Sequence, residues 1–142
     1  MNASELLTDK GKTVISVQLG EPLRVVTQIL AEHKIGVVVV KDANGRLAGI
    51  ISERDFMWGL EKFGPELMDK RVDELLTPAV ITCAPDDNIV EIMWAMEANA
   101  IRHLPVVDGE ELVGMISIRD VMGAWLDASE EEIEQLRELL AA

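Results

Sequence analysis

Two short stretches carry side chains in an arrangement suited to chemistry: Ser52-Glu53-Arg54-Asp55 and Ser117-Ile118-Arg119-Asp120. Each follows an apolar run and precedes an amphipathic one, the pattern of a buried strand that turns directly into a helix. Ser as N-cap with Asp three residues on makes a capping box, which satisfies orphan N–H groups of the first helical turn. The same arrangement also suits a ligand. A helix N-terminus behind a strand attracts an anion, and an Asp carboxylate there can accept hydrogen bonds from ribose hydroxyls. Arg54 and Arg119 sit in the first turn, where a cation opposes the macrodipole. That placement suits a nearby anion, or an ordinary surface arginine. Ser52 and Ser117 act as caps in either case.

The two stretches belong to a longer duplication. Gly49–Met57 and Gly114–Met122 are identical at six of nine positions, at an offset of 65 residues. Upstream, Val14–Val17 matches Val80–Cys83 at an offset of 66, and Leu23, Val26 and Leu30 match Ile89, Ile92 and Met96. Ile35 matches Ile101, and Asp42 matches Asp108. Further upstream, Ser4–Thr8 matches Asp73–Thr77 at an offset of 69, with the extra residues near Lys10-Gly11-Lys12. Ordered matches with small length changes in polar turns mark a repeated unit.

Each unit reads as β-α-β-β-α, so the fold class is α+β with two tandem repeats. In the first, Thr13–Val17 is extended and Pro22 opens a helix whose face is Leu23, Val26 and Leu30. Gly36–Val40 is a strand rich in Val and suited to burial on both faces. Asp42-Ala43-Asn44-Gly45 is a hairpin turn, Arg46–Ile51 the return strand, and Ser52 caps a helix. In the second, a helix spans Asn88–Ala98, strands span His103–Val107 and Glu111–Ile116, and the last helix starts at Ser117. Phe63-Gly64-Pro65 separates the units, and Pro65–Leu76 is predicted to add a short helix. From Ser129, as N-cap, a separate acidic helix is predicted, docked through Ile133, Leu136 and Leu140. The expected divisions are residues 4–64, 65–78, 79–127 and 128–142.

The 142 residues are 49% hydrophobic, enough for a real core, and carry a net charge of −13. A nucleic-acid binder needs a basic surface to displace counterions, so that class is disfavoured. Cys83 is the single cysteine, which excludes an intramolecular disulfide, and with two histidines it makes a Cys/His metal site implausible. The N-terminus carries no basic-then-apolar leader, and Ile35–Val40 is far too short to span a membrane. A soluble cytoplasmic protein is expected. No Walker or Rossmann glycine loop and no nucleophile–base set is visible, so no enzymatic activity is expected.

Gly-x-Ile-Ser-x-x-Asp before the last helix of each unit, Arg102-His103-Leu104-Pro105-Val106-Val107, Gly109-x-x-Leu112-Val113-Gly114, and Glu74-Leu75-Leu76-Thr77 with Val80-x-Thr82 together resemble a tandem pair of CBS (cystathionine β-synthase) domains over residues 4–127. The resemblance implies one pseudo-twofold module with two clefts between its paired sheets. In that family such clefts commonly bind AMP, ADP, ATP, NAD(H) or S-adenosylmethionine, with no obligatory cofactor or metal. It implies ribose contacts from Asp55 and Asp120, with Ser52 and Ser117 near ribose or phosphate, as well as Arg54 and Arg119. Arg102 and His103 are implied phosphate ligands in the stretch that ends at Leu104 and Pro105. Ser16 and Thr82 would present backbone groups to the base edge. Ile15, Val38, Ile81 and Leu104 are walls of a base slot or, equally, core. The first repeat has Val37-Val38-Val39 where the second has His103-Leu104-Pro105, so the second cleft, with Arg102, His103 and Asp120, is expected to bind more tightly.

One further face is legible. Val90 and Trp94, one turn apart, give the helix at Asn88–Ala98 a second apolar side, where the first repeat has Arg24 and Gln28. An extra apolar face suggests a contact outside the module. A homodimer through helices is expected, regulating a partner protein. The competing expectation is a dimerisation scaffold whose clefts hold no ligand.

Overall fold

The computed structural model describes residues 1–11, 13–78 and 81–141. Val80, matched above to Val14, lies outside them, as do Lys12, Ala79 and Ala142. Among the described residues, five α-helices and five strands form two similar halves. The first half contains β1 (Ser16–Gln18), α2 (Leu23–His33), β2 (Val37–Lys41), β3 (Leu47–Ser52) and α3 (Glu53–Phe63). The second contains α4 (Ile89–Ala98), β4 (His103–Asp108), β5 (Glu111–Ser117) and α5 (Ile118–Ala141), and α1 (Ala3–Lys10) precedes both.

The halves repeat each other in backbone detail. β2 pairs antiparallel with β3 and β4 with β5, each pair with one register shift in its hairpin. α2 ends at Lys34 with φ 53, and the chain leaves α4 through Ala100 with φ 52. Those left-handed residues let Ile35 N–H reach Leu30 O at 3.1 Å and Ile101 N–H reach Met96 O at 3.0 Å. β1 pairs in parallel with β2, Val17 beside Val40. Among the described residues its counterpart in the second half is a bridge, Cys83 beside Val106.

Strand alternation assigns the faces. Val38, Val40 and Ile51 point into a core with Val17, Leu23 and Val26, while Val37 and Val39 take the opposite face. In the second half Leu104, Val106 and Ile116 join Ile89, Ile92 and Met96, and His103 takes the opposite face.

The lead-in segments cross over. Ala3, Leu6 and Leu7 of α1 belong to the core of the second half, and Leu67 and Val72 to that of the first. Matching hydrogen bonds anchor them. Ala3 N–H donates to Asp87 O at 2.9 Å and Ile89 N–H to Met1 O at 3.1 Å; Val72 N–H donates to Glu21 O at 2.8 Å and Leu23 N–H to Lys70 O at 2.9 Å. The crossing explains a glycine in each return strand. A Cβ on Gly49 would lie 2.5 Å from Thr77 O, and one on Gly114 would lie 2.6 Å from the Leu7 side chain.

The short helix expected over residues 65–76 takes the form of two 3-10 turns, Gly64–Asp69 and Val72–Glu74, because the Val72 N–H is drawn to Glu21 O and leaves the helical ladder. One expectation needs correction: the acidic tail is not a separate docked helix. α5 runs unbroken through Ser129, and Leu136 and Leu140 are 54% and 89% exposed. Between Leu126 and Glu130 there is no Gly or Pro to stop the helix, and Ser caps only where the preceding residues are not helical.

Candidate functional site

The strand-to-helix corners build the site. At the first, Ser52 Oγ accepts from Asp55 N–H at 3.4 Å, and the Asp55 carboxylate accepts from Ser52 N–H at 2.8 Å. The second repeats this, with Asp120 N–H to Ser117 Oγ at 3.1 Å and Ser117 N–H to Asp120 Oδ2 at 2.8 Å. Both capping boxes therefore form. Each helix is also pinned to the strand beside it: Glu53 N–H donates to Gly36 O at 3.0 Å, and Ile118 N–H to Arg102 O at 2.8 Å.

The two carboxylates then differ. Asp55 is only 5% exposed. Besides Ser52 N–H, it accepts from Ser52 Oγ at 3.1 Å and, on its other oxygen, from Thr77 Oγ1 at 3.0 Å. Thr77 arrives on the crossed lead-in segment, so the Asp55 carboxylate is tied to structure and lines neither cleft between the repeats. Thr8, the counterpart of Thr77, donates instead to Ser4 O at 3.0 Å. Asp120 remains half-buried beside Arg119, in a recess shared with Met1, Leu6 and Asp9.

Two clefts lie between the halves and are related by the pseudo-twofold. One, of about 320 Å³, is lined by Thr13, Val14 and Ile15, by Ile35–Val37 and Val39, and by His103, Met115 and Ser117. The other, of about 260 Å³, is lined by Ile50 and Ser52–Arg54, by Gly36 and Val37, and by Ala100–His103. Each takes the helix N-terminus of one repeat and the residues entering the middle strand of the other. Arg102 therefore does not serve the corner of Ser117 and Asp120, as the sequence suggested. It stands across from Ser52 and Arg54, while His103 lines both clefts. That cleft sets Arg54 and Arg102 against Glu53, with His103 beside them, so it is locally positive in an acidic chain.

The other predicted residues divide clearly. Ile15 lines the first cleft. Val38 and Leu104 are fully buried core rather than slot walls, because alternation turns Val37 and His103 to the clefts instead. Pro105 is buried and accepts from Cys83 N–H at 3.0 Å through its backbone. Ile81 packs against the second core, Ser16 is half-buried in β1, and Thr82 is exposed. Gly36, Val37, Ile50 and Ile101 were missed. An unbroken run of Val carries no alternation to separate cleft face from core face, although the His103–Leu104 alternation of the second repeat does. Cys83 is no nucleophile: burial, then the nearby Asp87 carboxylate, push its thiol up to about 12.

Comparison with known proteins decides the family. The family model for the CBS domain matches residues 4–62 and 72–127. The chain belongs to the CBS-domain family. The CBS-domain containing protein ATU1752 from Agrobacterium tumefaciens superposes with a TM-score of 0.82 at 33% identity, over 87% of this chain and 92% of that one. The CBS domain protein PAE2072 from Pyrobaculum aerophilum, complexed with AMP, superposes with a TM-score of 0.75 at 28% identity, over 84% of this chain and 89% of that one. CBSX3, a mitochondrial CBS domain-containing protein of Arabidopsis thaliana, is 34% identical over 111 residues, 75% of this chain and 54% of CBSX3. This CBS pair thus spans about half the length of that curated relative. No helix among its described residues is long and apolar enough to cross a membrane.

Proposed function

We propose that this CBS pair is a non-catalytic sensor that binds an adenosine mononucleotide between its repeats. The observation that carries this reading is the convergence of Arg54, Arg102 and Ser52 on one inter-repeat cleft with an apolar floor of Val37, Ile50 and Ile101. Two guanidiniums offer charge-assisted hydrogen bonds to a phosphate, and the apolar strand face suits a base. The relative complexed with AMP supports the ligand class. Volumes of about 260 and 320 Å³ fall at the small end for ligand sites, which run roughly 300–1,000 Å³. In the other cleft Thr13, Ser117 and His103 are the polar contacts, and Asp120, turned to the recess of Met1 and Asp9, lines neither cleft. Asp55 is left to its structural bonds. The test is a melting screen with AMP, ATP, NADH and S-adenosylmethionine. AMP is expected to raise the melting temperature with concentration, by about 2.7 kcal/mol of stability at one hundred times its dissociation constant. No shift with any of them replaces the sensor with the ligand-free scaffold.

A sensor needs an output surface. Trp94 and Val90 on α4 are 64% and 44% exposed, and we place a contact with a second copy of the chain there. Trp is enriched among the residues that dominate interface energy. Trp94→Glu is expected to shift the protein toward monomer in sedimentation. Sedimentation identical to wild type removes Trp94 from the interface.

A further inference from the structure

α5 continues 14 residues past the end of the CBS match at Asp127, and its continuity puts two apolar segments in one register. Met122, Leu126, Ser129, Ile133, Leu136 and Leu140 are spaced 4, 3, 4, 3 and 4 residues apart. That is an a/d pattern, with Leu126, Ile133 and Leu140 at a, Met122 and Leu136 at d, and the polar Ser129 at the d position between them. All the apolar members of the seam are exposed. An amphipathic helix of an isolated body has a drifting stripe of period 3.6; a strict 3.5 period is what a supercoiled partner helix requires.

We infer that the second half of α5 pairs in parallel with the same helix of a second copy as a two-stranded coiled coil. Three features commit the surface to that occupant. Ile at a followed by Leu at d, here Ile133 and Leu136, is the combination that favours two parallel strands. Glu132 falls at g and Arg137 at the following e, so parallel pairing sets Glu132 of each copy beside Arg137 of the other. Arg137 is held within its own helix only by a loose 3.9 Å contact to Glu134 and is free to turn across. An antiparallel pair overlapping the same seam would instead set Glu130 and Glu132 against their own copies. Trp125 and Leu139 at g widen the apolar strip, and the seam is continuous at its base with a groove formed by Met93, Ile118 and Trp125. From Met122 to Leu140 the seam is about 27 Å long at 1.5 Å per residue.

This contact gives a dimer a direction and a register; it does not depend on the nucleotide, and it adds to the Trp94 contact on α4, so that loss of either weakens the dimer. The test uses the full chain. In a parallel pair Ser129 lies opposite its own copy, so Ser129→Cys is expected to form a disulfide-linked dimer under mild oxidation. Glu131→Cys, on the outer face, is expected to stay uncrosslinked, as is the wild type, whose Cys83 is buried. Leu136→Glu, at an exposed position, is expected to lose the dimer in sedimentation while its melting curve as a monomer remains cooperative. A wild type that is monomeric at high micromolar concentration, a Ser129→Cys variant that crosslinks no more than Glu131→Cys, or a Leu136→Glu variant that sediments as wild type overturns the inference. If Trp94→Glu dissolves the dimer while Leu136→Glu leaves it intact, the α4 contact stands and the coiled coil does not.

Discussion

Residues 1–64 expressed alone are expected to collapse without a cooperative transition, although they contain a complete β-α-β-β-α unit. The reason is the crossing of the lead-in segments. Leu6 and Leu7 of that fragment are built to be buried in the other half, and the fragment lacks Leu67 and Val72, which close its own core. Each fully buried Leu or Val contributes roughly 1.5–3 kcal/mol. Four such side chains misplaced at once exceed the margin of a small domain, about 5–15 kcal/mol, or come close to it. The backbone suffers as well, since Val72 N–H and Lys70 O no longer meet Glu21 O and Leu23 N–H. Broad, poorly dispersed amide resonances and a featureless melt are the expected results. A sharp melt from this fragment contradicts the crossed arrangement.

Gly49→Ala is expected to cost about 2–4 kcal/mol, much more than Gly114→Ala. The added methyl on Gly49 meets a backbone oxygen, Thr77 O, at 2.5 Å, with Leu76 at 2.6 Å. Thr77 cannot step aside cheaply. Its O and N–H are each bonded to Ile50 at 2.9 Å, and its hydroxyl holds Asp55 at 3.0 Å. Moving it leaves the buried Asp55 carboxylate short of a donor. At Gly114 the obstruction is the far end of the Leu7 side chain, which can change rotamer. Denaturant melts of the two variants measure the difference. Equal losses contradict the assignment of the Gly49 cost to the backbone of Thr77.

Much of this was legible in the residues. Ser-x-Arg-Asp behind an apolar run predicted both strand-to-helix corners, and both capping boxes form, because that signal is local. The duplication predicted the equivalent turns and strands for the same reason. What crosses between the halves was not legible. The offset of 69 residues shows that Ser4–Thr8 and Asp73–Thr77 are counterparts, but an apolar helix face is satisfied equally by either core. The placement of Arg102 failed on the same point: it adjoins His103 in sequence, yet its side chain faces the helix corner of the other repeat. Ser129 illustrates the opposite failure. A good capping residue has no capping role when the helix before it has no reason to stop.

The most direct test of a nucleotide sensor between the repeats is a calorimetric titration of AMP into the wild type and Arg102→Ala. Arg102 is exposed, so the variant is expected to fold normally. The wild type is expected to bind saturably, and Arg102→Ala about ten- to a hundredfold more weakly, from the loss of roughly 1.5–3 kcal/mol of charged hydrogen bonding to phosphate. Equal affinity in the two proteins contradicts a phosphate site at Arg102, and no binding of AMP or ATP to the wild type at millimolar concentration contradicts the sensor itself.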